Sequence, residues 1–155
     1  MNSNKVLYLD FTKRFGKYPN VNRGDIPHVS LNLCTETDDL KKFHEWLSSI
    51  VSKQENSEYN HVIYHYQTEG DMQELTFDLK YSAKNNELVA KIRQLKSTKY
   101  RFILSYHELI ILHDYISKIL KDLDDPNIAN DYLINDEQLL FKYTKIVVYY
   151  DSGDE

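Results

Sequence analysis

The sequence predicts an α+β fold, an antiparallel sheet with two amphipathic helices packed on one face. Three observations carry this. Several runs alternate apolar and polar residues with the period of a strand, and two stripes repeat with the period of a helix. Only four Gly and three Pro interrupt 155 residues, so the elements follow one another without a flexible linker. With 41% hydrophobic and 28% charged residues the chain can bury a core, and its length fits one domain over residues 1–155.

Val6 to Phe11 and His28 to Leu33 alternate as strands. Leu40, Phe43, Leu47, Ile50 and Val51 then fall on one stripe of a helix, with Thr35 and Asp38 three residues apart as its entry signal. Asn60 to Thr68 and Glu74 to Tyr81 are strands joined by Glu69, Gly70 and Asp71, where glycine tolerates the positive φ of a tight hairpin. The second of them is the clearest, because Leu75, Phe77, Leu79 and Tyr81 alternate with Glu74, Thr76, Asp78 and Lys80. Asn85 and Asn86 mark the next turn, before strands at Glu87 to Leu95 and Tyr100 to Leu104. A second helical stripe runs through Leu109, Leu112, Ile116, Ile119 and Leu120, entered at Ser105 with Glu108. Phe141 to Tyr150, rich in Val, Ile and Tyr, adds a last strand.

The two helical stripes match at an offset of 69. Phe43-His44-Glu45-Trp46-Leu47-Ser48 lies over Leu112-His113-Asp114-Tyr115-Ile116-Ser117, which points to pseudo-repeats at 28–54 and 97–123.

No residue pattern specifies catalysis. His61 and His65 are four apart in a strand, where they span ~13 Å and cannot share a metal ion. His44 and His113 sit beside the apolar stripes and read as packed, hydrogen-bonded imidazoles. Asp10 lies within the first strand without the second acid that would hold Mg²⁺ beside a phosphate. Cys34, at a strand end before a helix start, has no His with an Asp or Asn that the sequence ties to it. The expectation is a non-enzymatic protein with no metal and no cofactor; a hydrolase centred on Asp10 or Cys34 is the remaining enzymatic option. One cysteine cannot form an internal disulfide, and no run approaches the ~18 apolar residues of a membrane helix. Both point to a cytoplasmic protein without a membrane partner.

Charge is more informative. Lys80 to Arg101 carries a local balance of +6, whereas Glu108 to the end carries −7, within a chain of net charge −5. Two modes of action follow. An acidic surface suits a protein partner with a basic surface, such as a nuclease, whose association it accelerates. Asp122, Asp124, Asp125, Asp131, Tyr132, Asp136 and Glu137 would then make the contact, and the chain would act as an inhibitor by occlusion. The alternative is single-stranded nucleic acid, with phosphates on Lys91, Arg93, Lys99 and Arg101 and bases stacked on neighbouring rings. Thirteen tyrosines serve either mode, and Tyr59, Tyr64, Tyr66, Tyr81, Tyr100, Tyr143, Tyr149 and Tyr150 fall in strand-like segments.

The stretch Tyr100-Arg101-Phe102-Ile103-Leu104-Ser105-Tyr106-His107-Glu108-Leu109 resembles the last strand and helix of the PC4/Whirly group of single-stranded DNA-binding proteins. That resemblance implies several antiparallel strands before a helix, an order the strands from 60 to 104 fit. It also implies a strongly basic sheet, from which the net acidity departs. In size, acidity and tyrosine content the whole chain is also similar to small inhibitors of phages and mobile elements, anti-CRISPR proteins among them, and to toxin-immunity proteins.

Overall fold

A computed structural model describes residues 6–13, 28–34, 39–66, 72–94, 97–124 and 137–151. In chain order the elements are β1 (Val6–Lys13), β2 (His28–Cys34), α1 (Asp39–Lys53), β3 (Ser57–Tyr66), β4 (Met72–Ser82), β5 (Glu87–Gln94), β6 (Ser97–Ser105), α2 (Tyr106–Asp124), β7 (Glu137–Leu140) and β8 (Thr144–Asp151). The fold is α+β. Its strands divide between two antiparallel four-stranded sheets, ordered β2-β1-β8-β7 and β3-β4-β5-β6.

Alternation drives the assembly, because each strand hides every second side chain. Leu7, Leu9 and Phe11 of β1, Phe77, Leu79 and Tyr81 of β4, and Leu88, Ala90 and Ile92 of β5 are all fully buried. They join one hydrophobic cluster with Leu40, Phe43, Leu47 and Ile50 of α1 and Leu109, Leu112, Ile116 and Ile119 of α2. The two sheets meet through aromatic rings: Phe11 of β1 lies 5.2 Å from Phe77 of β4 and 5.9 Å from Phe102 of β6, centroid to centroid. A buried threonine also joins them. Thr144, opening β8, accepts from the Ile103 amide at 3.2 Å and donates to the Ile103 carbonyl at 3.0 Å, satisfying both backbone groups on the β6 edge away from β5.

The helices run antiparallel and are joined by side chains of the matched hexapeptides. The rings of His44 and His113 stack at 4.8 Å with an interplanar angle of 17°. His44 Nε2 lies 2.6 Å from Ser117 Oγ, and Ser48 Oγ lies 2.8 Å from His113 Nε2. Nearer the helix ends, the Tyr106 hydroxyl donates to the Val51 carbonyl at 2.7 Å. Both imidazoles are thus packed and hydrogen-bonded, as their place beside the apolar stripes suggests.

The predicted start of α2 is present in full. Ser105 Oγ accepts from the Glu108 amide at 3.1 Å, and Glu108 Oε1 accepts from the Ser105 amide at 2.8 Å, a reciprocal capping box. The corresponding Thr35 and Asp38 signal lies outside the described residues, as does the Glu69-Gly70-Asp71 turn. The Asn85-Asn86 turn is seen. Asn86 adopts φ 54°, its amide donates to the Ser82 carbonyl at 2.8 Å, and its side-chain oxygen accepts from the buried Tyr81 hydroxyl.

The C-terminal strand differs from the sequence reading. Phe141 and Tyr143 precede β8, in a three-residue connection closed by the Phe141 amide on the Thr144 carbonyl at 2.9 Å. Phe141 is buried by that turn and Tyr143 is half exposed at its tip. The four residues of β7 form an additional strand beside β8.

Candidate functional site

The site is built on the outward face of β3-β4-β5-β6. Because Phe77, Leu79, Leu88, Ala90, Ile92, Phe102 and Leu104 point inward, the residues between them must face away from the core. Register then aligns them in rows across the sheet. One row is Asn60, Asp78, Lys91 and Arg101, and the adjacent row is Glu58, Lys80, Val89 and Ile103. All of these positions except Ile103 line an open concavity of about 550 Å³ that also includes Arg93.

Four cations share this surface with two carboxylates. Lys80 Nζ lies 3.7 Å from Glu58 Oε1, and both side chains are more than half exposed, so this pair contributes little. Arg93 is held more firmly: its Nε donates to Asp78 Oδ2, and that hydrogen bond, with the attraction of the carboxylate, raises the Arg93 pKa further above its usual range. The other Asp78 oxygen is buried and finds no hydrogen-bond partner among the described residues. Lys91 and Arg101 stand directly opposite one another on β5 and β6, both exposed, and neither makes an ion pair among the described residues. Like charges placed so are destabilising.

A β-bulge shapes the edge of this face. Ile92 pairs with Tyr100, but Arg93 pairs with Thr98, so Lys99 is the unpaired extra residue of β6. Bulges bend a strand and re-aim the side chains beside them, here next to Arg93. The structure places Lys91, Arg93 and Arg101 on one face and sets the backbone of Lys99 at their edge. It adds Lys80, which the sequence had only in the wider basic block, and Asp78, the acid at the centre. The alternation of β4 already puts Asp78 and Lys80 on one wet face, and that was the available signal.

The acidic candidates are more dispersed in what is described. Asp122 is half-buried in the last turn of α2, and Asp124 ends that helix exposed. Glu137 opens β7, while Asp125, Asp131, Tyr132 and Asp136 lie outside the described residues. Beyond them Leu140 and Tyr143 are 60% and 51% exposed.

Asp10 sits mid-β1 between Ser30 and Val147, and Cys34 ends β2 opposite Val6. Among the described residues no three His, Cys, Asp or Glu side chains group as metal ligands, and no helix is long and apolar enough to cross a membrane.

No family model, curated protein or solved structure shows significant similarity to the chain.

Proposed function

We propose that the protein is a binding protein that transforms nothing itself, and that its ligand is single-stranded nucleic acid laid across the outward face of β3-β4-β5-β6. One observation carries this reading: Lys91 and Arg101 are juxtaposed and exposed, and neither has an ion-pair partner among the described residues, on an open concave sheet of an otherwise acidic chain. A phosphate between them offsets the repulsion they exert on each other, and an open sheet gives an extended strand room to pass. Proteins that bind this way release counterions, so affinity falls with salt at a slope of about −0.7 per phosphate neutralised on a single strand. The test is fluorescence anisotropy of a labelled oligonucleotide over a salt series. Lys91→Gln and Arg101→Gln each weaken binding and each flatten the slope by about 0.7. Absence of binding by the native chain at low salt contradicts the reading.

Exposed Asp124, with Leu140 and Tyr143 beyond it, supports a second reading, inhibition of a nuclease or another protein with a basic surface. The segment from Asp122 to Glu137 supplies the acids and the two exposed side chains the apolar anchors that tight binding needs. In that case Asp124→Asn with Tyr143→Ala weakens capture of the partner nuclease, while Lys91→Gln leaves it unchanged.

A further inference from the structure

The basic face contains its own anion. Asp78 stands at the centre of the row Asn60, Asp78, Lys91, Arg101, only 20% of its side chain is exposed, and its Oδ2 holds Arg93 Nε. A guanidinium grips a phosphate best through two parallel N–H groups, and the edge bearing Nε is one of the two faces that can do so. With Asp78 on Nε, that edge is taken. Resting on the nucleic-acid reading above, we propose that Asp78 is a built-in competitor that withholds Arg93 from the phosphate backbone, so that the face binds through Lys91 and Arg101 and keeps a third phosphate contact in reserve.

The proposal separates Asp78 from any other acid on the same face. Glu58 also faces this surface and also pairs with a cation, Lys80, but at 3.7 Å and with 61% of its side chain exposed. Removing the Glu58 charge changes only the diffuse field, which salt screens. Removing the Asp78 charge releases a specific donor. Asn at 78 keeps the side-chain shape and can accept from Arg93 Nε only as a neutral partner.

Anisotropy with a labelled single-stranded oligonucleotide over a salt series tests this with four single variants and one double variant, each first checked for an unchanged circular dichroism spectrum. Asp78→Asn is expected to tighten binding about tenfold, the low end of one charge-assisted contact, and to steepen the salt slope by about 0.7. Glu58→Gln gives a smaller gain with no change of slope. Arg93→Gln alone changes affinity less than Arg101→Gln does, and added to Asp78→Asn it removes the gain. Equal gains from Asp78→Asn and Glu58→Gln overturn the proposal, and so does an Arg93→Gln loss as large as that of Arg101→Gln. Binding by the native chain with no gain at Asp78 sinks this inference and spares the nucleic-acid reading. No binding by any variant sinks both.

Discussion

The pair of histidines between the helices shows how single residues define an interface. Ser117 Oγ donates to the His113 carbonyl at 3.0 Å, so toward His44 its oxygen accepts, and His44 carries its proton on Nε2. His113 Nδ1 faces the Asp114 carboxylate at 3.1 Å, which leaves its Nε2 to accept from the Ser48 hydroxyl. Burial and the neighbouring His113 lower the His44 pKa, against a smaller opposing pull from Glu45, and Asp114 bonds His113 from the same helix. The folded pKa thus lies below the unfolded value of 6.5, and the unfolded chain takes up the proton first. His44 therefore supports the fold above about pH 6.5, and that support is lost as pH falls through the lowered folded pKa. Thermal melts across this interval should show a falling midpoint for the native chain and a flatter profile for His44→Gln; parallel profiles contradict the assignment. The hexapeptide match at offset 69 was legible in the sequence, but its meaning was not. Histidine and serine recur because each pairs with the other helix, and periodicity alone does not say which partner a polar side chain meets.

Elements were legible where local chemistry is self-contained. The cap of α2 needs only Ser105 and Glu108, both within one turn, so its signal survives folding unchanged. Glu108 does more than the sequence shows, since its Oε2 also accepts from the Lys142 amide at 2.8 Å and ties the β7-β8 connection to the helix start. Ser105→Ala should cost about 1 kcal/mol in urea unfolding, the usual worth of an N-cap, and a change near zero contradicts the role of the box. Thr144 is a sharper case. It is the buried polar residue of the described core and serves both backbone groups of Ile103, so Thr144→Val strands two buried polar groups and should cost roughly 2–4 kcal/mol. A loss under 1 kcal/mol contradicts that account. Nothing local announced this contact, because Thr144 and Ile103 are 41 residues apart. For the same reason β7 was missed: Glu137, Gln138, Leu139 and Leu140 are too few to show a period, and β8 is what makes them a strand.

At the scale of the molecule, alternation told which strands have a buried face but not which sheet owns them. The partition has an order of its own. The meander β3-β4-β5-β6 leads into α2, and the spatial order β7-β8-β1-β2 leads into α1, so the two halves share one connectivity with the chain ends falling between β8 and β1. Val6 pairs with Asp151, which sets those two strand ends side by side. We propose that the pseudo-repeats reflect this unit. A circular permutant that joins the ends by a short linker and opens between α2 and β7 should fold, with a melting temperature within a few degrees of the native chain. Failure to fold contradicts equivalence of the halves. The candidate site was the least legible level, because a face shared by several strands depends on register. Lys91 and Arg101 are ten positions apart in the sequence, with Asp78 and Arg93 on either side of Lys91, and only strand pairing makes these four residues one surface.

The most direct measurement is a two-dimensional amide NMR titration of the native chain with an unlabelled single-stranded oligonucleotide at low salt. The account predicts chemical-shift changes concentrated at Lys91 and Arg101 and reversed by added salt. Silence at these amides, or changes confined to Asp122 through Tyr143, contradicts it.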